Sequence, residues 1–296
     1  MEGWFIMPKF SPCLWFDSEA LEAAELYLDA FEEGALGTIS HYVDDLHKPN
    51  GTILTVEFTI ANQTFLGLNG GTEFQFTPAI SFFVDCETDE QFTRVWTTLI
   101  RQGKKLMPVQ EYPFSKKFGW LEDKYGVSWQ INLSGKKQSI APAFMFHDDA
   151  YKKAEEAMNF WIDTFGNAQI ESYERNEDGS IKQALFSIHG QPFRVMDNAM
   201  HHEFDFSMAT SFSVDCKDQQ EIDYLWERLT TDGKEWPCGW MEDKYGICWQ
   251  TGGVLLEKYT DTTDVKRANR VMQAMYQMKK IDLSILKEAY DGSEHH

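Results

Sequence analysis

Gly119-Trp-Leu-Glu-Asp-Lys-Tyr-Gly-Val-Ser-Trp-Gln130 returns, almost unchanged, as Gly239-Trp-Met-Glu-Asp-Lys-Tyr-Gly-Ile-Cys-Trp-Gln250. Working outward, Ser81-Phe-Phe-Val-Asp-Cys86 reappears as Ser211-Phe-Ser-Val-Asp-Cys216, 130 positions later. Pro12 and Leu14-Trp-Phe16 are echoed by Pro142 and Phe144-Met-Phe146. Tyr27-Leu-Asp-Ala-Phe31 is echoed by Trp161-Ile-Asp-Thr-Phe165. The matches keep one order over a whole copy, so each copy is domain-sized rather than a solenoid repeat. The junction, Ser134-Gly-Lys-Lys-Gln-Ser139, is short and polar, as a linker should be.

Within copy one the apolar pattern switches period in a readable order. Phe10 to Asp17 suits a strand, and Leu21, Ala24, Leu28 and Phe31 follow at helical spacing after Ser18, a candidate cap. Three β-like runs come next, 38–43, 53–60 and 64–68, with Ala61-Asn62-Gln63 as a hairpin turn. The order then restarts with a strand over 79–84 and a helix carrying Phe92, Val95, Trp96 and Leu99. Two further strands flank the turn Asp123-Lys-Tyr-Gly126. Each copy therefore reads as β-α-β-β-β twice over. The two units of a copy are expected to lie side by side as one curved eight-stranded sheet, helices outside and a pocket on the concave face. Tail residues Val265, Ala268, Met272 and Met275 share one helical stripe, and Asp282 can cap a second helix.

Composition removes several function classes. The 296 residues carry 27 Lys+Arg against 47 Asp+Glu, a net charge of −20 that disfavours nucleic acid and anionic membranes. No apolar run is long enough to span a membrane, and the first ten residues do not read as a signal peptide. Five cysteines without a C-x-x-C fit a reducing, cytoplasmic setting better than a disulfide framework. His295 and His296 read as the stub of a purification tag.

Phe16-Asp17, Val84-Asp85-Cys86 and Asp123-Lys-Tyr-Gly-Val127, each at the edge of an element, together resemble the vicinal oxygen chelate superfamily. That superfamily includes glyoxalase I, bleomycin resistance proteins and extradiol dioxygenases. The G-W-[LM]-E-D-K-Y-G segment and the tail from Ala268 to Asp282 are similar to its PhnB-like branch, the 3-demethylubiquinone-9 3-methyltransferase-like proteins. The resemblance implies an α+β fold of tandem glyoxalase-like domains, each two βαβββ units forming a curved eight-stranded sheet, plus C-terminal helices. The first domain would occupy 8–134, the second 140–260 and the helical tail 261–291. It also implies that the copies pair within the chain, as single-domain relatives pair between chains.

For the methyltransferase label, the one glycine-rich candidate is Leu66-Gly-Leu-Asn-Gly-Gly71. Copy two has Arg194-Val-Met-Asp-Asn-Ala199 there, and no helix pattern follows either stretch. A permissive turn is the better reading. The metal-ligand positions of metal-dependent relatives fall on Gln130 and Gln250, Ala79 and Ala209, and near Ser11 and Ala141. One neutral amide per sheet is too few donors, so no metal and no cofactor are expected. His147 and His189 read as ordinary strand-end or turn histidines. No nucleophile elbow occurs, so no catalytic residue is assigned and the reading leans against an enzyme.

On the last strand of each copy, polar residues alternate with apolar ones. The polar set should face the cavity. This makes Gln130, Ser128 and Trp120, with Gln250, Cys248 and Trp240, the ligand-binding candidates. Each glutamine is open to two roles, contacting a ligand or tying strands together. Cys248 is read more readily as a buried inert thiol than as a pocket group. Residues 106–118, with Tyr112, Pro113 and Phe114, have no full counterpart in copy two and would form a lid or, preferably, an interdomain brace. The expected function is metal-free binding of a small organic molecule. The alternatives are a metal-dependent lyase, isomerase or dioxygenase, and an interaction protein with vestigial pockets.

Overall fold

The computed structural model describes residues 10–43, 48–253, 256, 259 and 264–292. Residue 8, the 260/261 boundary, and His295 and His296 lie outside the described residues.

Copy one runs β1 (Phe10–Phe16), α1 (Ala20–Ala30), β2 (Gly34–His41), β3 (Ile53–Ile60) and β4 (Gln63–Asn69). Its second unit is β5 (Ile80–Cys86), α2 (Asp89–Leu99), β6 (Lys104–Tyr112), β7 (Ser115–Glu122) and β8 (Ser128–Leu133). Copy two repeats the order with β9 (Ser139–Phe146), α3 (Ala154–Phe165), β10 (Ala168–Arg175), β11 (Ile181–Ile188) and β12 (Gln191–Asp197). It continues with β13 (Thr210–Val214), α4 (Gln219–Thr230), β14 (Lys234–Glu235), β15 (Trp240–Glu242) and β16 (Cys248–Thr251). The tail forms α5 (Val265–Tyr276) and α6 (Leu283–Asp291). Among the described residues no helix is long and apolar enough to cross a membrane.

Local chemistry explains most boundaries. The β3–β4 hairpin turns on Ala61 and Asn62, at φ 45° and 62°, and the β11–β12 hairpin turns on His189 and Gly190, at 49° and 81°. Positive φ at both central residues suits the strand twist. Thr88 and Asp218 cap α2 and α4 with their own side chains, and Asp282 caps α6. Ser18 does not cap α1. Its first N–H, that of Ala20, is taken by the side chain of Asn69 at 2.9 Å, and Asp197 serves Ala154 on α3 in the same way at 3.2 Å. A cap supplied from 49 residues away leaves no local signature.

The α+β class, the βαβββ order and the two eight-stranded sheets are those expected. The distribution of units between sheets is not. Sheet A runs β14-β15-β16-β13-β1-β4-β3-β2, and sheet B runs β10-β11-β12-β9-β5-β8-β7-β6. Each sheet joins one unit of copy one to one unit of copy two, through the antiparallel pairs β1–β13 and β5–β9. Linker geometry accounts for the exchange. Leu133 at the end of β8 lies beside Cys86, and Ser139 opens β9 opposite Asp85. The short linker need only turn across the end of β5. The longer crossovers, 70–79 and 198–209, carry the chain between sheets and meet where Thr77 Oγ1 donates to the Asp205 carbonyl at 2.7 Å.

The cores, by contrast, largely follow the copies. One is built on α1, α2 and the inner faces of β3, β4, β5 and β8, with Phe65 of sheet A edge-on to Phe82 of sheet B at 5.1 Å. The other is built on α3, α4 and the tail. Both close around the duplicated motif. Asp123, 4% exposed, accepts from Tyr27 Oη (2.8 Å), Trp129 Nε1 (2.9 Å) and the N–H groups of Tyr125 and Val127. Asp243 accepts from Trp161, Trp249, Tyr245 and Ile247 in the same pattern. Burial pushes the Asp123 carboxyl up to about 6 against these four donors. The most repeated sequence in the chain is thus a buried structural node.

Candidate functional site

Residues that alternate with the core set line the concave face of each sheet. On sheet B these include Ser81 and Phe83 of β5, Ser128 and Gln130 of β8, Phe118 and Trp120 of β7, Ala143 of β9 and Arg194 of β12. On sheet A the corresponding places hold Ser211, Ser213, Cys248, Gln250, Trp240, Cys13 and Leu66. The six candidates fall three to a sheet: Gln130, Ser128 and Trp120 on B, with Gln250, Cys248 and Trp240 on A. Because the units are exchanged, half of each wall comes from the other copy. Sequence reasoning missed Cys13, Trp15 and Arg194 for that reason. For Arg194 a signal existed, an arginine where copy one has Leu66.

The polar candidates are engaged by hydrogen bonds within each sheet. Gln130 Nε2 donates to Ser81 Oγ at 2.8 Å, and Gln250 Nε2 donates to Ser211 Oγ at the same distance. Trp120 Nε1 donates to Ser128 Oγ at 2.7 Å. Each glutamine nitrogen thus uses one of its two N–H groups to tie neighbouring strands. Burial raises the Cys13 thiol to about 11 and the Cys248 thiol higher still, so neither is a ready nucleophile. All five cysteines are free thiols.

The two faces are covered differently. On sheet B, residues 106–118 extend the β6–β7 hairpin over the face that carries Phe83. Met107 and Tyr112 pack with Trp120 onto Phe83, Phe118 and Ala143. Tyr112 stacks on Phe114 at 5.6 Å, and both meet Phe118 edge-on. The preference for a brace is thereby reversed. On sheet A, β14 and β15 are short, and two indoles close over the floor. Trp15 and Trp240 meet edge-on at 5.9 Å, with Phe74 against Trp15 at 5.0 Å. Both tryptophans are half-buried, and beneath them Cys13 and Cys248 are each 1% exposed. The tail ties the two margins of this sheet. Asn269 donates to the Val43 carbonyl just past β2, while Cys238 and Gly239, before β15, donate to the Met278 and Lys279 carbonyls.

The glycine-rich stretch 66–71 serves that indole. A Cβ on Gly70 would lie 2.3 Å from the Trp15 ring, and Trp15 Nε1 donates to the Gly71 carbonyl at 2.8 Å. No helix begins there, so these residues do not fit a cradle for S-adenosylmethionine. The metal positions fit no better. Ala79, Ala141 and Ala209 offer no donor, and among the described residues no three His, Cys, Asp or Glu side chains are grouped to hold an ion. His147, 3% exposed at the end of β9, turns Nδ1 onto Asp148 at 2.6 Å, and His189 turns Nε2 onto the Phe165 carbonyl. Calorimetric titration of tag-free protein with Zn²⁺, Ni²⁺ or Mn²⁺ should show no stoichiometric binding tighter than ~10 µM. A site lost in Gln130→Ala and Gln250→Ala would refute this.

Two eight-stranded sheets assembled from βαβββ units give the chain a glyoxalase-like fold. The chain belongs to the family described as 3-demethylubiquinone-9 3-methyltransferase, whose model matches residues 8–132 and 138–252. A solved PhnB protein from Bacillus cereus, described as a putative 3-demethylubiquinone-9 3-methyltransferase, is 41% identical. That match spans 42% of this chain and 98% of that one, with a TM-score of 0.40. Glyoxalase I from Zea mays aligns over 82% of this chain and 92% of its own, with a TM-score of 0.59 at 10% identity. A putative dioxygenase from Bacillus subtilis aligns over 81% and 82%, with a TM-score of 0.51 at 9% identity. These two share the fold. No curated protein matches the chain.

Proposed function

We propose that the protein binds a flat, uncharged organic molecule on the concave face of sheet A, between Trp15 and Trp240, without metal or covalent catalysis. The indole pair supports this reading. Rotating the two rings apart would expose a floor of Ser211, Gln250 and two neutral thiols, and would offer aromatic faces to a planar guest. Sheet B places Phe83 and Arg194 where sheet A has Ser213 and Leu66, so the floor of sheet A carries the smaller side chains at these two positions. Free thiols throughout suit a cytoplasmic setting.

The test uses N-phenyl-1-naphthylamine, a neutral planar fluorophore. The protein should bind about one equivalent saturably, and Trp15→Leu or Trp240→Leu should weaken binding by about tenfold or more. Leu36→Ala, on the exposed edge of β2, should change nothing. Absence of saturable binding, or equal affinity in both tryptophan variants, would overturn the proposal.

A further inference from the structure

We infer that the concave face of sheet B holds a second, chemically different site, in which Arg194 receives the carboxylate of a small aromatic acid. Arg194 is 7% exposed. Its guanidinium lies over the Phe83 ring at 3.9 Å, and Nη2 donates to Asp85 Oδ2 at 3.3 Å. Nε is buried and has no hydrogen-bond partner among the described residues. A buried guanidinium with an idle donor is costly, and such groups are usually satisfied in the native state.

The surroundings do not require an arginine for folding. The repeat-related strand carries Leu66 at the same register, paired with Cys13 as Arg194 is paired with Ala143. Nor does Asp85 grip Arg194 with both oxygens. Its other oxygen accepts from Asn132 Nδ2 at 2.7 Å, and Asn132 is held in turn by Ser115 Oγ at 2.6 Å. The guanidinium can therefore serve Asp85 with one nitrogen and offer Nε to a ligand, and two carboxylates on one arginine are compatible with its fork of donors.

The walls supply the remainder. Phe83 faces the cation, Phe118 and Tyr112 continue the aromatic surface beyond it, and the β6–β7 hairpin that carries these two is extended only in copy one. Phe114, at the hairpin tip, is 56% exposed and carries this aromatic surface to the margin of the sheet. Aromatic walls beside a desolvated cation select a ring bearing an anion over a ring bearing a hydroxyl. This site is independent of the indole-capped face of sheet A.

Calorimetry with benzoate and benzyl alcohol tests the inference, because the two differ only in the carboxylate. Benzoate should bind the wild-type protein with Kd below ~1 mM and at least about tenfold more tightly than benzyl alcohol. Arg194→Leu, which installs the residue used in copy one, should abolish that difference. Arg194→Met keeps the aliphatic stem on Phe83 and should do the same if the leucine variant folds poorly. Equal affinity of the wild type for the two compounds, or benzoate preference surviving in a folded Arg194 variant, would overturn the inference. Loss of neutral-probe binding in the tryptophan variants bears only on sheet A.

Discussion

Asp123→Ala is expected to lower the melting temperature by roughly 8–16 °C. The substitution removes an acceptor from four donors that have nowhere else to turn. The Tyr27 hydroxyl, the Trp129 indole and two backbone N–H groups would be left facing the core. Each stranded donor costs about 1–3 kcal/mol, and partial relaxation with water entry leaves a net loss of about 4 kcal/mol. At ~2–4 °C per kcal/mol for a chain of this size, that gives the stated shift. Asp243→Ala should act alike in the second core, and the double variant should show close to the sum, since the two nodes share no partner. Scanning calorimetry decides the matter. A shift below ~3 °C in either single variant would mean that the duplicated motif is not the structural node described here.

Separating the copies should have a larger effect still. Residues 1–136, expressed alone, are not expected to exist as a folded monomer. Without copy two, β1 and β5 lose the antiparallel partners β13 and β9 and become open edges in the middle of each sheet. Phe10 of β1 and Ile80 of β5 are buried in the second core, which is removed with copy two. Exposing these two costs about 1.5–3 kcal/mol each, and leaving the backbone groups of two central strands unpaired adds to that, a large share of the ~5–15 kcal/mol by which a domain is stable. The fragment should dimerise, using a second copy of itself in place of 137–296, or aggregate. Mixing it with 137–296 during refolding should restore one-to-one heterodimers. Sedimentation equilibrium gives the answer directly, and a folded monomer of 1–136 would contradict the exchanged topology.

How much of this was legible in the residues differs from element to element. The hairpin at Ala61-Asn62, the α2 helix with its Phe92, Val95 and Leu99 face, and the Asp282 cap of α6 all rest on neighbours within a few positions. Periodicity and turn chemistry see such neighbours. The cap of α1 does not, because Asn69 reaches it across the fold. Alternation along the last strand points Ser128, Gln130, Cys248 and Gln250 to the concave faces, and repetition singles out Trp120 and Trp240. Their hydrogen-bond partners, such as Ser81 for Gln130 and Ser211 for Gln250, needed strand register to be found.

The sequence by itself determined the duplication, the βαβββ order and family membership, since these are carried by residue type and spacing along one copy. Only the tertiary structure decided which units share a sheet, and so which residues share a pocket. A one-dimensional repeat is indifferent to whether β5 pairs within its copy or with β9, because both pairings present the same apolar faces. The short linker after β8, laid across the end of β5, selects the second.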